Sequence, residues 1–139
     1  MHPFESDFEL SKNLIALLFK LSDEDQGTGL IERNYIIYVA GELGIDLHQV
    51  EEIEKDFKNY EMTIPENEVQ RMTILYYLLF LIKIDSQVSD KEIKTVKEFG
   101  FKLGFRSRLV DELTALMKEY EGETVPQEAM LEKIRKYHN

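Results

Sequence analysis

The sequence predicts an all-α protein, organised as a single-domain bundle of about seven helices built from a duplicated three-helix unit. Apolar residues recur at the period of a helix along most of the chain, and no segment shows the sustained alternation of a strand. The second half of the chain also repeats the first. A length of 139 residues is typical of one domain and is enough to bury about 70% of the unfolded surface. We therefore expect one domain over 1–139.

The repeat becomes visible when the sequence is shifted by 60 residues, which aligns 14–61 with 74–121 without a gap. Eleven of the 48 aligned positions are identical, and conservative pairs such as Ile36 with Val96 preserve the apolar face of a helix. Because a chance alignment has no reason to preserve both identity and helical spacing, we interpret the chain as two copies of one unit.

The first copy begins with an apolar helix at 7–22, which leads the repeat. The next helix, 30–43, ends at Leu43 and Gly44, and a glycine here suits the left-handed turn that closes a helix. The third helix, 46–60, is indicated by an apolar stripe at positions i, i+3, i+7 and i+10, which are Val50, Ile53, Phe57 and Tyr60.

The second copy repeats this order with helices at 65–84, 89–103 and 106–120, and a further helix follows at 126–137. Gly104 stands after the second of these helices, as the counterpart of the glycine that ends the same helix in the first copy. The same three helices are therefore expected twice.

Two further local signals concern the helices at 65–84 and 126–137. Pro65 and Pro126 each suit a first helical turn, where the missing N–H costs nothing. The run from Ile74 to Ile82 has no polar face, so we expect it to be buried on all sides.

Composition excludes several classes of function. The chain has no cysteine, which rules out disulfide scaffolds, thiolate zinc sites, cysteine nucleophiles and iron–sulfur clusters. A net charge of −10 argues against nucleic-acid binding, because phosphates repel an acidic protein. No apolar run reaches the ~20 residues that cross a bilayer, and the N-terminal residues lack the basic and apolar regions of a signal peptide. We therefore expect a cytoplasmic protein with no transmembrane segment.

No motif in the sequence indicates a particular enzymatic reaction. A nucleophile elbow, a phosphate-binding glycine loop and a zinc-protease helix are all missing. The three histidines, His2, His48 and His138, have no second ligand at metal-binding spacing and suit surface positions. We therefore predict no catalytic residues, no organic cofactor and no enzyme activity.

A short acidic segment occurs once in each copy, directly after the apolar leading helix. An aspartate is followed seven residues later by a glutamate, as Asp25 and Glu32 in the first copy and as Asp85 and Glu92 in the second. Each aspartate follows a helix C-terminus, where the macrodipole disfavours an anion, so its charge must be compensated. Two interpretations are open.

In the first interpretation, the compensation is hydrogen bonding. Each aspartate accepts backbone N–H groups in a turn, and the glutamates cap the helices that follow. Ser89 and Glu92 have the spacing of a capping box, and Gly29 is the weaker cap in the first copy.

In the second interpretation, the carboxylates bind a hard divalent cation, Ca²⁺ or Mg²⁺, because these ions take oxygen ligands from short loops. The predicted ligands are Asp25, Glu32, Asp85 and Glu92. Asp23 and Glu24 make the first copy the richer candidate. Neither loop has the spacing of an EF-hand.

The second acidic segment also resembles a known family. Residues 85–92 read Asp-Ser-Gln-Val-Ser-Asp-Lys-Glu, follow an apolar helix and precede a helix ending in Leu103 and Gly104. This arrangement resembles the signature of the TerB-like (tellurite-resistance) family, from which the chain departs at Ile84 and Ser86. The resemblance covers most of the chain and implies an all-helical, duplicated, cytoplasmic bacterial protein linked to stress or metal responses. It also implies cation binding by the loop carboxylates, which are here Asp25, Glu32, Asp85 and Glu92.

Charge is divided unevenly between the two halves of the chain. Residues 1–70 have 5 basic and 16 acidic side chains, a net charge of −11, whereas 71–139 have a net charge of +1. Within the second half, 91–108 has a net charge of +4. This segment is either an ordinary solvated helix or a docking face for an acidic surface, which is a partner protein or the 51–70 region (net −5) of a second subunit. The candidate partner-binding residues are Lys91, Lys94, Lys97 and Lys102.

The leading interpretation of the whole chain is a non-catalytic helical module that binds a protein partner or forms a homo-oligomer, modulated by a divalent cation. The alternatives are a small enzyme that uses the clustered carboxylates on a cationic or metal-bound substrate, and a purely structural self-associating protein. In this interpretation the first half of the chain binds the cation and the second half binds the protein partner.

Overall fold

The computed structural model describes residues 7–23, 29–61, 63–84, 90–120 and 127–136. All regular elements within these ranges are helices, and none is a strand, which confirms the predicted all-α class. The elements are α1 (Phe8–Ser22), α2 (Leu30–Glu42), α3 (Leu47–Asp56), a 3₁₀ turn (Phe57–Asn59), α4 (Glu68–Lys83), α5 (Asp90–Lys102), α6 (Ser107–Glu119) and α7 (Gln127–Lys136).

The two apolar leading helices, α1 and α4, pack against each other. α2 and α3 pack on α1, α5 and α6 pack on α4, and α7 packs on α6. The run from Ile74 to Ile82 is buried as expected, apart from Tyr76 and Phe80, which are half-buried and pack against the core. A single cluster of buried side chains extends through both halves of the chain, because α1 and α4 share the apolar faces that each half would otherwise expose to water. No helix in the described ranges has the length and apolar character that a membrane span needs.

The glycine turns at Gly44 and Gly104 follow the prediction. Their φ angles of 78° and 85° lie in the left-handed region, which glycine enters at little cost. The backbone N–H of the residue after each glycine donates to the carbonyl five positions earlier, at 2.9 and 3.0 Å. This bond, together with the one from each glycine N–H, forms a Schellman motif that satisfies the last carbonyls of the helix.

The predicted helix at 46–60 is wrong at its C-terminal end. α3 ends at Asp56, a 3₁₀ turn follows, and Tyr60 is extended. The Tyr60 carbonyl accepts a hydrogen bond from Lys20 Nζ of α1, and Phe57 packs against Phe19 with ring centroids 5.9 Å apart. These contacts with α1 hold the chain out of the helix that the apolar spacing favours.

The predicted helix start at Pro65 is also wrong. α4 begins at Glu68, because Asn67 accepts a hydrogen bond from the Gln70 backbone N–H at 3.0 Å and caps the helix. Pro126 lies outside the described residues. The remaining helix ends agree with the predicted ones to within one residue.

Candidate protein-interaction surface

α5 places the predicted partner-binding lysines on its outward side. Ile93, Val96 and Gly100 are buried, and their spacing of three and four residues aims one side of the helix at the core. The opposite side is exposed and includes all four lysines, Lys91, Lys94, Lys97 and Lys102. The structure therefore places the four lysines on the exposed side of one helix.

Phe101 is missing from the residues predicted from the sequence, although it stands in the middle of this side. It is 76% exposed, more than any other large apolar residue in the described part of the chain. Together with Lys97, Glu98 and Lys102 it lines a shallow surface cavity of about 390 Å³. One signal in the sequence could have indicated this exposure. Phe101 directly follows Gly100, which belongs to the buried stripe, so Phe101 itself lies outside that stripe. We call Lys91, Lys94, Lys97, Phe101 and Lys102 the α5 face.

The lysines of the α5 face make few internal contacts. Lys97 Nζ lies 3.1 Å from Asp111 Oδ1, and Lys102 Nζ lies 5.4 Å from the centre of the Phe99 ring. Both contacts are on the surface, where ion pairs contribute little to stability and exchange readily. Lys94 has no ion pair within the described ranges. These cations can therefore turn towards a partner at little cost.

The 60-residue shift of the sequence aligns α2 with α5, but the outward side of α2 has a different character. The 60-residue shift pairs Lys91 with Ile31, Phe101 with Gly41 and Lys102 with Glu42. Ile31 is 55% exposed. Around Gly41 the surface is open, because a Cβ added there would meet no heavy atom within 4 Å. One copy thus presents an apolar helix ending in a carboxylate, and the other presents a basic helix with a protruding ring.

A group of tyrosines surrounds Glu42 at the end of α2. Tyr77 Oη of α4 donates to Glu42 Oε2 at 3.0 Å, and Tyr35 Oη donates to the Tyr77 carbonyl at 3.3 Å. Interaction with the Glu42 carboxylate raises the pKa of the exposed Tyr38 hydroxyl. Burial, followed by the hydrogen bond to Glu42, raises the pKa of Tyr77. Burial also raises the pKa of Tyr35. Both hydroxyls therefore stay protonated, and the Tyr77 hydroxyl holds the Glu42 carboxylate in place.

This tyrosine cluster was not predicted from the sequence. Tyr35 and Tyr38 share one side of α2 by helical spacing, but nothing in the chain indicates that α4 would bring Tyr77 to them. Tyr76 extends the cluster on α4, with its ring 6.1 Å from that of Tyr77.

The residues of the predicted cation site are only partly described. Asp25, Asp85 and Glu24 lie outside the described residues. Asp23 follows α1, and its backbone N–H donates to the Phe19 carbonyl at 3.0 Å. Within the described ranges, no three acidic or histidine side chains come together in a group that could hold a metal ion.

The two predicted glutamates lie at corresponding places, in the first turns of α2 and α5. Glu32 folds back over Gly29, so that a Cβ added to this glycine would lie 2.6 Å from Glu32 Oε2. Gly29 itself is the extended N-cap residue of α2, as predicted. The position of Glu32 is typical of a side chain that turns towards the N-terminus of its own helix. Ser89, the predicted cap of α5, lies outside the described residues.

A second surface cavity, of about 370 Å³, lies beside the end of α1. Its described lining residues are Lys20, Asp23, Phe57, Lys58 and Phe99. It brings α1 and the 3₁₀ turn of the first copy next to α5 of the second. Asp23 is the one carboxylate among these lining residues, so they do not form the pair of acids that acid–base chemistry needs.

Comparison with protein-family models, with curated proteins and with solved structures finds no significant match to this chain.

Proposed function

We propose that this chain is a non-catalytic helical module that binds an acidic protein partner through the α5 face. The observation that supports this proposal is the exposed ring of Phe101 among four lysines. An exposed aromatic residue with a charged border is typical of an interface anchor, since aromatic residues are enriched at interfaces and at their hot spots. The lysines would attract an acidic partner and orient it.

The energetics favour this interpretation over a merely solvated helix. Burying a phenylalanine side chain is worth about 1.5–3 kcal/mol, which the α5 face leaves unused in the isolated chain. The lysines also have long apolar stems, which can cover a neighbouring ring while their ammonium groups stay in water. A partner that is acidic and partly apolar would satisfy both features.

A titration with synthetic peptides followed by amide NMR tests this function. We expect an acidic peptide containing one phenylalanine to shift the α5 amides, and a basic peptide of the same length to shift none. The double variant K94E/K97E should weaken binding about tenfold, which corresponds to 1.4 kcal/mol. The matched control K55E/K58E makes the same change in net charge on the first copy and should not weaken it. Unchanged α5 amides, or equal weakening by both variants, would contradict the proposal.

We also propose that the chain has the duplicated, seven-helix architecture of the TerB-like family and acts in a bacterial stress or metal response. Two observations support the duplication. Gly44 and Gly104, 60 residues apart, have the same left-handed turn with the same hydrogen bonds. The α2–α3 pair packs on α1 as the α5–α6 pair packs on α4.

A divalent cation, Ca²⁺ or Mg²⁺, is a separate proposal. It rests on the two acidic segments, in which Glu32 and Glu92 lie at equivalent places in helical first turns. The proposed ligands are Asp25, Glu32, Asp85 and Glu92, with Asp23 and Glu24 next to them. Titration of the amide NMR spectrum with each ion should shift the signals of both loops, and the D25N/D85N variant should abolish these shifts. A spectrum that stays unchanged at millimolar metal would overturn the proposal and leave helix capping as the role of these residues.

A further inference from the structure

We infer that the acidic partner of the α5 face is a second copy of this chain, which offers the outward side of its α2. This inference rests on the proposed function and names its partner. We call Ile31, Asn34, Tyr38, Gly41 and Glu42 the α2 face; all five residues are exposed. The contact joins two different surfaces, so each copy has one donor face and one acceptor face.

Shape is the first argument for this contact. Phe101 projects from the α5 face. On the α2 face, Gly41 has no side chain, and a Cβ added there would meet no heavy atom within 4 Å. A ring from another molecule therefore has room against the α2 backbone at this place. Ile31 and Tyr38 are 55% and 59% exposed, and they offer apolar surface on the same side of the helix. Burial of these side chains against Phe101 would remove from water the most exposed apolar residue of α5 and two exposed apolar residues of α2.

Charge is the second argument, because it disfavours contacts between identical faces. Two α5 faces would bring together two 91–108 segments, each with a net charge of +4. Two α2 faces would bring together two Glu42 carboxylates, since Glu42 is the charged residue of each α2 face. Of these three pairings, only the α5 face on the α2 face joins opposite charges, and like charges in contact cost several kcal/mol. We therefore expect a heterologous contact, in which the α5 face of one copy binds the α2 face of the next. Such contacts produce either an open chain of copies or a closed ring.

Preorganisation of Glu42 is the third argument. Glu42 is exposed on the surface, yet the Tyr77 hydroxyl holds its carboxylate with a hydrogen bond of 3.0 Å. Binding of an ammonium group therefore costs less glutamate side-chain entropy here than it would at a free glutamate. Lys102 is the residue of α5 that occupies the corresponding helical position, and we assign it as the partner of Glu42 in the second copy.

The contact should be weak. Each face is one side of a 13-residue helix, which is about 20 Å long. Such a patch is smaller than the roughly 800 Å² per partner of a standard stable interface. We therefore expect association that depends on concentration and that weakens as salt screens the lysines.

Sedimentation equilibrium of the full chain is the experiment that tests this inference. Between about 10 μM and 1 mM, a range in which weak complexes form, the average mass should rise above that of the monomer, and it should fall back at about 0.5 M salt, where charges are screened. The single variants E42K and K102E should each stay monomeric, because each one places like charges in contact. An equimolar mixture of the two variants should associate again, because every contact between different variants joins opposite charges.

Controls separate this inference from the proposed function. E52K makes the same charge change as E42K on the exposed surface of α3 and should associate like the wild type. Circular dichroism checks that E42K still folds, and K102E does not touch the tyrosine cluster at all. If the wild type is monomeric throughout while the acidic peptide still binds the α5 face, the partner is a different protein and only the self-association is wrong. Wild-type association that neither E42K nor K102E changes would also overturn the inferred self-association. A wild-type protein that stays monomeric and does not bind the acidic peptide would overturn both this inference and the proposed function.

Discussion

Gly44 has a φ of 78°, and only a glycine takes this conformation without steric cost from a Cβ. We predict that Gly44→Ala lowers the free energy of unfolding by about 1 kcal/mol, because the left-handed backbone strains any side chain. Gly41→Ala is the matched control three residues earlier, inside α2, where a Cβ meets nothing. There the better helix propensity of alanine should raise stability by up to about 1 kcal/mol. Urea unfolding measures both, and equal effects at the two positions would contradict the prediction.

Tyr77 connects stability to pH. Its folded pKa lies above the value of about 10 in the unfolded chain. As pH rises past 10, the unfolded chain therefore loses this proton before the native protein does, and stability falls. Tyr77→Phe removes the hydrogen bond to Glu42 and should cost about 1 kcal/mol near neutral pH. The difference from the wild type should shrink towards pH 11, because the variant lacks this titrating group.

Urea unfolding of both proteins at several pH values measures this effect. A Tyr77→Phe curve that runs parallel to that of the wild type across the alkaline range would show that folding does not raise the pKa of Tyr77, against the prediction.

At the scale of helices, Gly100 sets how closely α5 and α6 approach. A Cβ at this position would lie 2.6 Å from Val110 Cγ2 of α6, which is closer than packed carbon atoms come. We predict that Gly100→Ala costs about 1–3 kcal/mol through overpacking. Val110→Ala should recover part of this loss when the two changes are combined, since it removes the methyl group that the new Cβ meets.

The four proteins of this double-mutant cycle are compared by urea unfolding. The first copy provides an internal reference, because Ala40 stands at the position equivalent to Gly100 and is fully buried. Additive effects of the two changes would mean that α5 and α6 move apart freely at this point, against the prediction.

Helix ends show where sequence prediction works at this scale. Glycine turns and apolar spacing are local signals, and they located the starts and ends of most helices to within one residue. The end of α3 was mispredicted because Phe57 and Tyr60 fit the helical stripe while contacts with α1 take them out of it. A contact between residues 40 positions apart leaves no trace in local spacing.

At the scale of the whole molecule, the packing of α1 on α4 joins both halves of the chain in one buried cluster. We therefore predict one cooperative unfolding transition, in which amide signals of α2–α3 and of α5–α6 disappear at the same urea concentration. Leu78 of α4 is fully buried, and Leu78→Ala should lower the midpoint for both sets by the same amount, at a cost of about 2–5 kcal/mol. Two separate transitions would show that the copies fold independently.

The charge polarity between the halves was readable from the sequence, because formal charge depends on residue identity alone. The lysines of the α5 face were predicted in the same way, from the net charge of +4 of residues 91–108. Phe101 was missed because an aromatic residue on an apolar-rich helix is usually buried. Its exposure depends on how far α5 is turned towards α4 and α6.

The sequence by itself determined the helical class, the glycine turns at Gly44 and Gly104 and the division of charge, because periodicity, backbone preference and formal charge are properties of short segments. Only the tertiary structure decided that Phe101 is exposed, that α3 ends early and that Tyr77 meets Glu42. These features depend on which helices come into contact and at what rotation, and that is a property of the packed core as a whole.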